Sequence, residues 1–167
     1  MYEKILVPLD GSKGSEAIIP YIVELAPKLK AEVHLLHLWE PDYYTITEER
    51  LARMKSSKES AEDYIGQTAA KLKQKGIVAE SDFRALDGGT EADEILKVAD
   101  EISADIVAMS THGHSGIKRW AMGNVAEKVV HTGNAPVLLV RTPKAERERG
   151  YGATKDLNEH IPLQHLH

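Results

Sequence analysis

Along this chain, apolar positions alternate between short continuous runs and a helical period. Residues 3–9, E-K-I-L-V-P-L, form a run that predicts a buried strand, broken by Asp10-Gly11-Ser12. Pro8 has no N–H to give a ladder, so that strand ends near it or lies where the donor is not needed. Over 14–29 the apolar positions Ala17, Ile18, Tyr21, Ile22, Leu25 and Leu29 keep a helical period, with Ser12 or Ser15 as cap. Residues 31–39 return to strand character and stop at Pro41. Leu51, Met54, Ala61, Ile65, Ala69 and Leu72 then mark a long amphipathic helix over about 46–75. Thr45 and Glu48 have the spacing of a capping box, Thr47 is a rival cap, and Lys75-Gly76 supplies the stop.

The alternation continues. Residues 77–86 predict a third strand and Asp87-Gly88-Gly89 a turn. Thr90 followed by Asp93 resembles a capping box, and the helix it opens has Ala92, Ile95, Leu96 and Ala99 inside. Residues 105–110 predict a fourth strand. Val125, Ala126, Val129 and Val130 mark a helix that ends near Gly133, and after Asn134-Ala135-Pro136 the run 137–141 predicts a fifth strand. Strands alternating with helices imply an α/β fold: a doubly wound, five-stranded parallel sheet with helices on both faces and right-handed crossovers. Beyond Pro143 the period fails. Residues 144–167 are dense in charge and read as a flexible C-terminal tail on a domain of 1–143, with Ile161, Leu163 and Leu166 available to dock on a partner subunit.

Composition narrows the function classes. The 167 residues suit one domain with its own core, and 42% hydrophobic with 28% charged residues is an ordinary soluble balance. A net charge of -5 argues against nucleic acid as a partner, although a small anion needs only a local positive site. The absence of cysteine excludes disulfides, thiolate catalysis and cysteine-ligated zinc. No run has the length of a membrane span, and the N-terminus enters a strand without a signal-peptide pattern, so no membrane is expected and the cytoplasm is the expected compartment.

The chemistry concentrates between the fourth strand and the next helix, in S-T-H-G-H-S-G-I-K-R-W-A-M-G-N-V. Three glycines, Gly113, Gly116 and Gly123, lie there among few bulky side chains. A strand, a glycine-bearing loop and a helix start converge backbone amides and a helix dipole on one point, which suits an anion. Phosphates would then sit on Gly113, Gly123 and the amides just after it. The competing reading is that the glycines only serve turns, and the spacing matches neither familiar phosphate-loop fingerprint. In open parallel sheets ligands bind outside the carboxyl ends of strands, at the switch point in strand order. If the order is 3-2-1-4-5, the loop Pro8-Leu9-Asp10 and the loop 110–122 would face one crevice.

Other side chains add less. His112 and His114 have no Asp or Glu at ligand-like spacing, so one contacts ribose or they face solvent. His34 and His37 lie on opposite faces of a strand, cannot ligate one metal, and read as satisfied structural residues. Lys118 and Arg119 either reach a γ-phosphate or form a solvated basic loop. Trp120 anchors the loop or packs at a subunit interface. No nucleophile–base pair or carboxylate pair emerges, so no catalytic residue and no protein metal site is assigned.

Five elements in order, K-I-L-V-P-L-D-G-S, L-L-H-L, S-T-H-G-H-S-G, G-N-V-A-E-K-V-V and N-A-P-V-L-L-V, together resemble the universal stress protein family over residues 3–141. The resemblance implies the adenine nucleotide alpha hydrolase-like fold, with strand order 3-2-1-4-5. It implies a stress-response protein that binds an adenine nucleotide, ATP or AMP, as a sensor or regulator. Mg or Mn would be held mainly through the phosphates, and any ATP hydrolysis would be slow. Nucleotide-binding members carry G-x2-G-x9-G-[ST], which falls here on Ser110, Gly113, Gly123 and Asn124. Two glycines match, with Ser110 and Asn124 in the other two places. Phosphate contact is implied at Gly113, Gly123 and Asn124 with the Val125 amide nearby, in a loop that includes His112, His114 and Gly116. Adenine and ribose contact is implied around Pro8, Leu9, Asp10 and Leu38, with Asp10 as acceptor. Ser110 either crowds the ribose or offers it a hydroxyl, and Asn124 is a good helix cap. The apolar edge strand 137–141 is the expected homodimer interface. The alternatives are a dimeric family member that does not bind nucleotide and works through its surface, and a nucleotide-dependent enzyme on a related scaffold.

Overall fold

In the computed structural model, which describes residues 2–41, 47–112 and 122–142, the elements follow the alternation of the sequence. They are β1 (Lys4–Pro8), α1 (Lys13–Glu16), α2 (Ile19–Leu29), β2 (Glu32–Trp39), α3 (Glu48–Gln74), β3 (Ala79–Ala85), α4 (Glu91–Glu101), β4 (Ile106–Ser110), α5 (Asn124–Thr132) and β5 (Val137–Val140). All strand pairs are parallel, in the order β3-β2-β1-β4-β5. β1 pairs β2 on one side and β4 on the other, so the switch point lies between β1 and β4.

Period-2 alternation divides the sheet's side chains between two cores. Ile5, Val7, Val33, Leu35 and Ala108 face one side and pack against Ile22 of α2 and Ile65 and Leu72 of α3. Leu6, Leu36, Val107 and Met109 face the other side and pack against Ile95 and Val98 of α4 and Val129 of α5. Burial on both faces explains why the central strands read as apolar runs. Each fully buried Ile or Leu contributes about 2 kcal/mol.

Local signals set most boundaries. Thr90 and Asp93 form the expected capping box: Thr90 Oγ1 accepts from Asp93 N, and Asp93 Oδ2 accepts from Thr90 N, both at 3.3 Å. Thr47 caps α3 by accepting from Arg50 N, while its rival Thr45 lies outside the described residues. The helix expected over 14–29 is in fact two. Pro20 has no N–H for the carbonyl of Glu16, so α1 stops there and α2 restarts at Ile19 with Pro20 in its first turn. Ser12 caps α1, accepting from Ser15 N at 3.1 Å, and Ser15 is buried instead. Among the described residues no helix is long and apolar enough to cross a membrane. The tail 144–167 lies outside the described residues.

Candidate functional site

The carboxyl ends of β1, β2 and β4 lie side by side at one end of the parallel sheet. β1 and β2 are registered Pro8↔Leu36, which carries Asp10 level with Leu38. The β1–β4 pairing ends at Leu6↔Val107, so Leu9 and Asp10 on one strand end and Ser110 and Thr111 on the other lie beyond the last paired rung, on either side of the switch point. Pro8, Leu9, Asp10, Leu38 and Ser110 thus all lie at the carboxyl ends of β1, β2 and β4, as the 3-2-1-4-5 order requires. Gly123 joins them through its amide, which donates to Thr111 O at 2.9 Å. Leu38, Met122 and Val125 all pack on the core under α4 and α5, giving this end of the sheet an apolar flank. Gly113, His114, Gly116, Lys118, Arg119 and Trp120 lie outside the described residues.

The loop after β1 is a closed local turn. Gly11 has φ 82, a conformation that glycine takes without strain. Asp10 Oδ1 accepts from Ser12 N at 2.9 Å and from Ser12 Oγ at 2.6 Å, and Asp10 N donates to Ser15 Oγ at 3.3 Å. Below it, Leu9 N donates to Leu36 O, and His37 Nδ1 donates to Leu9 O at 2.8 Å. His37 is therefore the satisfied, buried histidine that strand parity suggests. It stacks on Phe83 and meets Tyr64 edge-on. His34 departs from that expectation: its Nε2 is buried without a hydrogen bond and stands 3.6 Å from Asp82 Oδ2. Beside the turn, Tyr64 OH donates to Glu16 Oε1 at 3.0 Å. Burial holds the Glu16 carboxyl above its ordinary range, against the opposing pull of the Tyr64 hydroxyl, Lys71 and Lys13. The Tyr64 hydroxyl is pushed up by its own burial and by the Glu16 carboxylate.

On the β4 side the residues bond among themselves. His112 does not face solvent: it is 9% exposed, its backbone N donates to Thr142 Oγ1 at 3.2 Å, and its ring Nδ1 lies 3.0 Å from Thr111 Oγ1. Ser110 is 6% exposed and its hydroxyl donates to His112 O at 3.1 Å. Asn124 is the first residue of α5 and not its cap. Gly123 is the N-cap, at φ -62 and ψ 147, and offers no side-chain bond. The first intrahelical bond runs from Glu127 N to Gly123 O, so the amides of Asn124, Val125 and Ala126 precede the ladder. Three unladdered amides with the positive end of a helix dipole can hold an anion.

Sequence reading missed Thr111, Thr142 and the support role of His37. Thr142 is 1% exposed just past β5, where a threonine before proline reads only as a turn residue. Among the described residues no group of three or more His, Asp or Glu side chains comes together in a way that would hold a metal ion.

With this geometry in place, known proteins can be set beside it. The family model for the universal stress protein family matches residues 1–141. A universal stress protein of Methanothermobacter thermautotrophicus is 34% identical over 147 residues, covering 85% of this chain and 97% of its own. The solved structure of a universal stress protein of Methanocaldococcus jannaschii is 27% identical, with a TM-score of 0.76 over 86% of this chain and 99% of that one. The universal stress protein of Archaeoglobus fulgidus, solved in complex with dAMP, shares the fold at 20% identity and a TM-score of 0.57, covering 83% of this chain and 97% of that one.

Proposed function

The chain belongs to the universal stress protein family, and we propose that it binds an adenine nucleotide, ATP or AMP, across the crevice between β1 and β4 and acts as a stress sensor or regulator. The observation that carries this reading is the start of α5. Gly123 leaves that helix without a side-chain cap, and its amide ties the helix start to Thr111 at the carboxyl end of β4, one of the two strands that flank the switch point. Phosphate would lie on the amides of Asn124 and Val125, with Gly113, Gly116, His112 and His114 belonging to the same loop. The adenosine would lie toward Leu38, Pro8, Leu9 and Asp10. The dAMP bound by the Archaeoglobus relative, which has the same fold, supports the ligand class.

Mg or Mn would be bound through the phosphates. With no carboxylate or nucleophile–base pair in the reading, hydrolysis of ATP would be slow. The protein would work in the cytoplasm as a homodimer, with 1–143 as its domain, 144–167 as a flexible tail and the strand around 137–141 as its interface. A second reading, a dimer that works through its surface without nucleotide, is favoured by one observation. Gly123 is required for close backbone approach to Thr111 whether or not phosphate binds.

Titration calorimetry with AMP and with ATP plus magnesium tests the reading. Saturable heat that is lost in Gly123→Val is expected. Wild-type protein that gives no heat with either nucleotide overturns it and leaves the surface reading.

A further inference from the structure

The β4–β5 ladder breaks its own rule at its last rung. The strands are registered Ser110↔Val140, and Thr111 N continues the ladder by donating to Val140 O at 2.8 Å. In a parallel pair, the next bond runs from the amide of residue 142 back to the carbonyl of residue 111. It does not form here. Thr142 N donates instead to the Thr111 hydroxyl at 3.2 Å. The Thr111 carbonyl, released from the ladder, accepts Gly123 N at 2.9 Å.

The exchange is reciprocal. Thr142 Oγ1 accepts His112 N at 3.2 Å, so each threonine hydroxyl takes a backbone amide from the other strand end. The Thr142 hydroxyl has one proton and two acceptors within reach, His112 O at 2.9 Å and Gly14 O at 3.5 Å. The nearer one takes it. Ser110 Oγ donates to that same His112 carbonyl at 3.1 Å, which fills both of its lone pairs. The His112 N–H and C=O are therefore fixed by the hydroxyls of Thr142 and Ser110, and the Thr111 hydroxyl, by taking the Thr142 amide, leaves the Thr111 carbonyl to Gly123. His112 and Gly123 stand on either side of the segment that carries Gly113.

We propose that Thr111 and Thr142 are positioning residues of the nucleotide loop. Their side chains replace a ladder bond so that one backbone carbonyl is freed to close the loop at Gly123. This rests on the nucleotide reading above only for its ligand, since the closure itself exists without one. Ser110, in the place of the family pattern's first glycine, serves the same closure.

Four variants test it: Thr111→Val, Thr111→Ser, Thr142→Val and Thr142→Ser. Two readouts are taken on folded protein, hydrogen exchange at the amides of His112 and Gly123 without nucleotide, and AMP affinity. In Thr111→Val the Thr142 amide returns to the Thr111 carbonyl and competes with Gly123, so Gly123 exchange quickens. In Thr142→Val the His112 amide loses its acceptor and exchanges faster. Both valine variants should weaken AMP binding by roughly tenfold, the scale of one buried hydrogen bond. Both serine variants keep the hydroxyl and should stay near wild type in both readouts. Folded valine variants with wild-type exchange and affinity overturn the proposal. Where the valine variants do not fold, the serine variants decide: wild-type behaviour supports the hydroxyl role, and a loss equal to misfolding assigns the residues to methyl packing and overturns it. Wild-type protein that binds no AMP refutes the nucleotide reading, while exchange at His112 and Gly123 still upholds or overturns the hydroxyl closure.

Discussion

The amide of Gly123 donates to the carbonyl oxygen of Thr111 at 2.9 Å, and a Cβ built on Gly123 would stand 2.9 Å from that same oxygen. Real Cβ atoms essentially never come within 3.0 Å of such an atom, so any side chain at 123 must push the start of α5 away from β4. Gly133, at the far end of the same helix, is in an equal conflict, 2.8 Å from Val129 O. Gly123→Ala and Gly133→Ala should each cost about 1–3 kcal/mol, the usual scale of overpacking. Only Gly123→Ala should also weaken AMP binding. Urea denaturation and AMP titration of both variants check this, and equal affinity losses would separate the β4–α5 contact from the ligand site.

Glu16 gives a pH dependence with a definite sign. Its carboxyl titrates above the ordinary 4.5 because it is buried. Folding therefore favours its protonated form. Its contribution to stability is complete below about 4.5 and is lost as pH rises through the raised folded-state value. Glu16→Gln keeps an acceptor for Tyr64 and removes the buried charge. Its melting temperature should exceed that of wild type near neutral pH, and the gap should close well below pH 4.5. A gap that persists in acid would mean the gain is packing and not charge.

Thr90→Ala removes the hydroxyl half of the α4 capping box and the acceptor for Lys128 Nζ at 3.2 Å. A loss of about 1 kcal/mol is expected, with AMP affinity unchanged, since Thr90 bonds none of the residues assigned to the nucleotide. Chemical denaturation beside an AMP titration measures both.

His37 supports the floor of the β1 turn. In His37→Leu the Leu9 carbonyl loses its donor, at a cost of about 1–3 kcal/mol for a buried acceptor. Leu9 precedes Asp10 directly, so AMP affinity should fall as well. A stable variant with full affinity would remove His37 from the support of the site.

β5 ends the sheet order, and its outer edge has no strand beside it among the described residues. Sedimentation should report a homodimer, and a monomer at micromolar concentration would remove the proposed interface.

Much of this was legible in the sequence, for reasons that can be named. The strand order is what the family resemblance implies, and the strands themselves are legible as apolar runs such as Ile106-Val107-Ala108, which burial on both faces demands. The Thr90 and Asp93 box was legible because both partners lie within one turn. The two-part helix was hidden because Ile18, Tyr21 and Ile22 keep their period through Pro20, and periodicity carries no record of a missing N–H. The inward turn of Ser110 and the burial of His112 depend on Thr142, thirty or so residues away in sequence, and no local pattern encodes a hydroxyl swapped across two strand ends.

The most direct test of nucleotide binding is mass spectrometry of the small molecules released on denaturing freshly purified protein, repeated after incubation with AMP and with ATP plus magnesium. An adenine nucleotide approaching one per chain is predicted. Protein that releases none, even after incubation with both, contradicts the central claim.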